Sequence, residues 1–277
     1  MVLTRRVSGR KLVLNNKRGG AAVALGAAET LGSGRGAVEQ RLRRDLAAAY
    51  RLFAVFGWDD LPFTHLSVRI PGPEHHFLLN PFGLTFEEVT ASSLVKVDLE
   101  GRIVEPTDYL INPAGFTIHS AVHAAREDAQ CVMHIHTIAG TGVSCQEHGL
   151  LPIHQEAMLI QEQIGYHNYE GVAFNHDERP RLVRDLAANN YLILRNHGTM
   201  TLGRTVPEAF SRMYHLERAC QMQIAALAGG ARVITPSEDI QAVTKEQRRA
   251  DQARVANDYI WPAMLRRLER HGADYDR

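Results

Sequence analysis

Cys131-Val132-Met133-His134-Ile135-His136-Thr137 is a short apolar run that closes on His-Ile-His. In an extended chain successive side chains point to opposite faces, so His134 and His136 share one side and Ile135 takes the other. Two imidazoles so placed at a strand end can fill two corners of a metal's coordination shell. A second apolar run, Leu192-Ile193-Leu194-Arg195-Asn196-His197-Gly198, ends in a third histidine beside a glycine. Three His ligands with a vacant fourth position are the pattern of a catalytic zinc centre, not of a closed structural one. The chain holds 14 histidines. The competing reading is therefore three unrelated imidazoles, each satisfied by its own hydrogen bonds, and spacing alone leaves both open.

Both runs read as buried strands, and helices must flank them. Apolar residues at Leu42, Leu46, Ala49, Leu52, Phe53 and Phe56 recur at helical spacing, so 38–56 is expected as a helix stopped by Gly57. His65–Ile70 and His76–Asn80 flank a Pro-Gly-Pro turn and predict a hairpin. Thr85 with Glu88 makes a capping box for a short helix over 85–94, and 94–99 alternates as a half-buried strand. Helices are expected over 116–126, 138–145, 155–164, 178–189 and 206–227, the last with Pro207 in its first turn. Residues 243–268 are charged and amphipathic, with Pro262 set to break or kink a helix there.

A chain of 277 residues is long enough for one sizeable α/β domain. Its formal net charge is zero, which argues against an electrostatic nucleic-acid binder. No run of 18 apolar residues suggests a membrane span. Cys131, Cys145 and Cys220 are odd in number and set among apolar residues, so they read as reduced core thiols of a cytoplasmic protein. Residues 1–36 are basic and rich in Gly and Ala. They are expected to be a disordered tail, with a targeting segment or a misassigned start as alternatives.

Five segments occur in a telling order: Asn80-Pro81-Phe82-Gly83, Ser92-Ser93-Leu94-Val95-Lys96-Val97-Asp98, Phe116-Thr117-Ile118-His119-Ser120, Met133-His134-Ile135-His136-Thr137 and Leu194-Arg195-Asn196-His197-Gly198. Each alone is weak, but the ordered set resembles the class II aldolase/adducin family over residues 38–230. The resemblance implies one three-layer αβα domain (37–230) with a central, largely antiparallel sheet, followed by a C-terminal extension (231–277) with an amphipathic helix. It also implies a homo-oligomer, commonly a tetramer, with sites between subunits. By position His134, His136 and His197 match the family's metal ligands. The implied cofactor is a divalent metal, zinc first, with manganese or iron as alternatives. Such an ion acts as a Lewis acid on the oxygens of an enediolate, a charge common to retro-aldol cleavage, epimerisation and decarboxylation.

The family's sugar-phosphate aldolases carry a Ser-Ser-Glu run whose serines hold phosphate and whose Glu is a zinc ligand and acid/base. The matching stretch here is Pro113-Ala114-Gly115, with neither hydroxyl nor carboxylate. Glu156, Tyr166 and His119 are the replacement bases considered, so the catalytic base stays open. The family's phosphate-binding Asn-x-Ser reads His65-Leu66-Ser67 here. Ser67, Asn80, Gly83 and Gln155 are the substrate contacts that the resemblance implies. A small, non-phosphorylated hydroxy-carbonyl or carboxylate compound is the expected substrate of a carbon–carbon lyase. The alternative is a non-catalytic binding or scaffold protein like the adducin head. Adducins continue into a long lysine-rich segment, whereas a short charged extension is present here, which favours a free-standing metabolic protein.

Overall fold

The computed structural model describes residues 35–172, 176–247 and 251–277, so the stretch 1–36 falls almost wholly outside them. The first described element, α1 (Arg35–Phe56), buries the predicted stripe. The hairpin follows as β1 (His65–Arg69) and β2 (Phe77–Leu79), then β3 (Val95–Val97). Helix α2 (Pro113–Ala125) leads into β4 (Cys131–Ile135), α3 (Ile138–Ser144) and α4 (Gln155–Ile160). Then come β5 (Ile164–His167), α5 (Arg179–Leu186), β6 (Tyr191–Leu194), β7 (Gly198–Gly203) and the long α6 (Val206–Leu227).

The seven strands form one sheet in the order β3-β2-β1-β4-β7-β6-β5. Every neighbouring pair is antiparallel except β5–β6. Alternation along the strands feeds two cores. Cys131, Met133 and Ile135 of β4 pack with α1 and the first half of α6, around Phe53 and Phe210. Val132 faces the other way, with Ile118 and Val122 of α2 and Leu182 and Leu186 of α5. Helices thus cover both faces, which is the expected αβα layering. His134 lies on the α2 side, in register with His65 of β1.

Three expectations need correction. Residues 85–94 form turns and no helix. Both Thr85 donors, the backbone N–H and the hydroxyl, go to the Glu88 carboxylate (2.8 and 3.0 Å). Downstream, Ser93 Oγ accepts from Thr90 N (2.9 Å) and donates to Thr90 O (3.0 Å), replacing helical bonds with local ones. The helix expected over 155–164 ends in a 3₁₀ turn, Gln161–Gln163, and Ile164 opens β5. Gly165 serves there because a Cβ would sit 2.5 Å from Asp185 O, at the end of α5.

The amphipathic stretch 243–268 is broken near Pro262 as expected, running as α7 (Glu238–Glu246), α8 (Gln252–Val255), a π turn (Ala256–Ile260) and α9 (Trp261–Arg270). The wide turn sits where Pro262 has no N–H for the carbonyl of Asp258. Beyond it Trp261 donates to Asp45 of α1 (3.1 Å), which docks α9 on the first core. The third correction is Cys145, which is exposed at the end of α3, while Cys131 and Cys220 are buried; all three are free thiols.

Candidate metal centre

Two chain reversals bring the three histidines together. β4 ends at Ile135 because Thr137 turns to cap α3, its hydroxyl accepting from Gly140 N (3.1 Å) and donating to buried Glu217. His136 is left projecting between strand and helix, on the side of His134. The β6–β7 connection is tight: Asn196 takes a left-handed φ of 56°, and Leu194 pairs with Gly198. His197 stands at its tip. Gly198 then lies so close to β4 that a Cβ would meet Ile135 O at 2.4 Å and His136 Cδ2 at 3.0 Å. Only glycine lets the turn approach the His-Ile-His segment this closely.

One ligand atom from each of His134, His136 and His197 lies within 4.8 Å of the others. His134 Nδ1 is 3.0 Å from Thr199 O, a pure acceptor, so Nδ1 carries the hydrogen and Nε2 keeps its lone pair. His136 Nδ1 is 3.0 Å from the Asp60 carboxylate, which fixes the same tautomer. The two Nε2 atoms are 2.8 Å apart. Two lone pairs facing at that distance repel unless a cation or a proton lies between them. Burial, reinforced by the neighbouring imidazoles, drives His134 well below the ordinary histidine range and His197 down to about 4. Both are therefore neutral at pH 7, the form that binds metal. The donor set fits a divalent ion of the zinc type.

A cavity of about 540 Å³ opens onto the cluster. Its walls include Phe63, Phe82, Ile118, Tyr169 and Val172, and His65 lies at its inner end beside Pro113, Ala114 and Gly115. The amino end of α2, started by Asn112 accepting from Ala114 N (3.0 Å), faces the same space. No Lys or Arg lines it among the described residues.

The other sequence-derived candidates lie elsewhere. Ser67 is buried, with Oγ 2.6 Å from His119 Nδ1 and 2.7 Å from His123 Nε2. Asn80 is buried, its Oδ1 accepting from the Tyr50 hydroxyl at 2.9 Å. Gly83 makes a turn at φ 103°, next to the cavity residue Phe82. Gln155 and Glu156 line a separate groove beside α6, where Glu156 pairs with His215 (2.8 Å). The Tyr166 hydroxyl accepts from Leu150 N (3.1 Å) under Arg195. His119 sits behind His65, away from the cavity. Asp60, His65 and Tyr169 were missed. Of these only His65 had a local signal, standing where the family's motif has Asn.

Residues 44–224 match the family described as Class II Aldolase and Adducin N-terminal domain. The chain belongs to the class II aldolase/adducin family. A protein of Caulobacter vibrioides with a class 2 aldolase name is 52% identical over 238 residues, 86% of this chain and 92% of its own. L-fuculose 1-phosphate aldolase from Glaciozyma antarctica PI12 superposes with a TM-score of 0.77 at 28% identity, covering 89% of this chain and 95% of that one. Alpha-adducin from Rattus norvegicus is 47% identical over 193 residues, 69% of this chain but 26% of that protein. Class II aldolases are metal-dependent, and the three converging imidazoles form a group that could hold such an ion.

Proposed function

We propose that this chain is a metal-dependent carbon–carbon lyase, an aldolase or decarboxylase, acting on a small non-phosphorylated hydroxy-carbonyl or carboxylate compound. The observation that carries the reading is the pair of Nε2 atoms, 2.8 Å apart, with both Nδ1 atoms already committed to Thr199 O and Asp60. Zinc is the ion proposed for His134, His136 and His197, with manganese or iron as substitutes. Bound there, it supplies a Lewis acid for the oxygens on which negative charge develops as the carbon–carbon bond breaks. The chain's own part is to hold the three imidazoles in one orientation and to line the approach with the apolar side chains of Phe63, Phe82, Ile118 and Val172. The amino end of α2 adds partial positive charge on the same side.

The choice against sugar phosphates rests on the wall. A phosphate dianion wants Arg, Lys or a set of hydroxyl and N–H donors. Pro113-Ala114-Gly115 offers no side-chain donor, and no Lys or Arg lines the cavity among the described residues. Steady-state assays of the zinc-loaded chain on fuculose and ribulose phosphates test this directly. We expect turnover far below that of sugar-phosphate aldolases, with metal-dependent cleavage or CO₂ release on non-phosphorylated hydroxy and keto acids. Efficient turnover of either phosphate contradicts the reading.

The 47% identity to alpha-adducin favours a second reading, a non-catalytic binding module. A protein that binds no metal, turns over no hydroxy or keto acid and sediments with actin–spectrin filaments supports that one instead.

A further inference from the structure

His65 is 4% exposed, and neither of its ring nitrogens has a hydrogen-bond partner. A buried imidazole left wholly unbonded is unfavourable, and folded proteins seldom tolerate one without a purpose. The ring is held rigidly all the same. β1 places it in register with His134, on the α2 side of the sheet. The first turn of α2 closes over it: a Cβ at Gly115 would lie 2.4 Å from both His65 Cε1 and Nδ1. His65 therefore takes the space that a side chain at 115 would fill. It borders the cavity onto which His134, His136 and His197 open, but is not one of the three clustered ligands.

Ser67 and His123, which could have bonded the ring, are engaged elsewhere. His123 Nδ1 donates to Ala129 O (2.9 Å), so its Nε2 accepts from the Ser67 hydroxyl (2.7 Å). Ser67 Oγ in turn accepts from His119 Nδ1 (2.6 Å). The nearest ring, His119, stands edge-on at 5.9 Å between centroids. The ring borders the cavity, whose walls are otherwise mostly apolar.

We propose that His65 is a substrate-binding residue that hydrogen-bonds a hydroxyl or carbonyl oxygen of a hydroxy-carbonyl compound, in the place a side chain at 115 would occupy. This rests on the metal-dependent reading above. An imidazole offers both a donor and an acceptor, which suits a hydroxyl, and the apolar walls suit a ligand whose far end carries no charge. Gly115 becomes part of specificity, since any larger residue there displaces the ring.

Zinc content and calorimetric titration with glycolohydroxamic acid test the assignment on the full chain, comparing wild type, His65→Phe and His65→Asn. We expect all three to hold zinc equally. His65→Phe should bind the hydroxamate about tenfold more weakly, as loss of one buried hydrogen bond implies, and His65→Asn should recover most of the affinity. A zinc-loaded His65→Phe that binds as tightly as wild type overturns the assignment while leaving the metal centre intact. Wild type that takes up no zinc overturns the metal reading and the assignment together. Should His65→Phe fail to fold, ¹⁵N spectra of histidine-labelled, zinc-loaded wild type serve instead: hydroxamate should shift the His65 ring nitrogens, and unmoved signals refute the proposal.

Discussion

Asp60 touches the candidate metal centre through one atom, His136 Nδ1, at 3.0 Å. Removing that acceptor frees the imidazole to rotate or change tautomer, and such outer-shell losses typically weaken metal binding by about 10- to 100-fold. Asp60→Ala is therefore expected to lower zinc affinity by that factor in a competition titration, with the fold retained; unchanged affinity refutes the role. His119 and His123 give a different prediction, of stability. Burial pushes both down to about 3, so the folded chain leaves them neutral where the unfolded chain protonates them, near pH 6.5. The unfolded state then binds more protons. Stability is complete above pH 6.5 and falls as pH drops towards 3, by up to about 2.7 kcal/mol per pH unit for two protons. Urea midpoints at pH 7, 6 and 5 should show the fall. A His119→Gln/His123→Gln variant should show a shallower one, and equal slopes contradict it. At this scale His134 and His136 were legible because strand period places them on one side. Asp60 and His65 were not, since their meaning depends on contacts with residues about 50 to 75 positions away.

Among the elements, the β6–β7 turn is the one on which the site is most exposed to damage. Gly198→Ala puts a methyl group 2.4 Å from Ile135 O, so β4 and β7 must part to admit it. Overpacking of this kind costs roughly 1–3 kcal/mol. Thermal unfolding should register that loss, and zinc content should fall with it because His197 moves away from His134 and His136. A stable Gly198→Ala variant with full zinc occupancy disproves the dependence. Long periodic segments such as α1 and α6 were readable because one stripe of apolar residues decides them. The turns at 85–94 and strand β5 were not. In the first, hydroxyl side chains compete with the helical bonds; in the second, a parallel partner and a close approach by Asp185 override a helical pattern.

For the whole molecule, sheet order was not readable from any local pattern. Periodicity identifies strands but not that β4 sits between β1 and β7; the family motifs implied a central, largely antiparallel sheet, and only the structure gives its order. The same architecture bears on substrate choice, because the sheet and α2 border a cavity without a Lys or Arg among its described walls. Inorganic phosphate at tens of millimolar is accordingly expected to leave glycolohydroxamate affinity nearly unchanged; strong competition shows a phosphate subsite and contradicts the non-phosphorylated reading. Assembly belongs to this scale too, and light scattering should find a homo-oligomer, a tetramer by family resemblance. Among the described residues no helix is long and apolar enough to cross a membrane.

Anomalous diffraction at the zinc edge, from crystals grown with one equivalent of zinc, addresses the metal centre without reference to any substrate. The predicted result is a single strong peak about 2.0–2.1 Å from one nitrogen each of His134, His136 and His197, with a coordination position open to the cavity. A peak elsewhere, or three imidazoles that stay metal-free under zinc, contradicts the account.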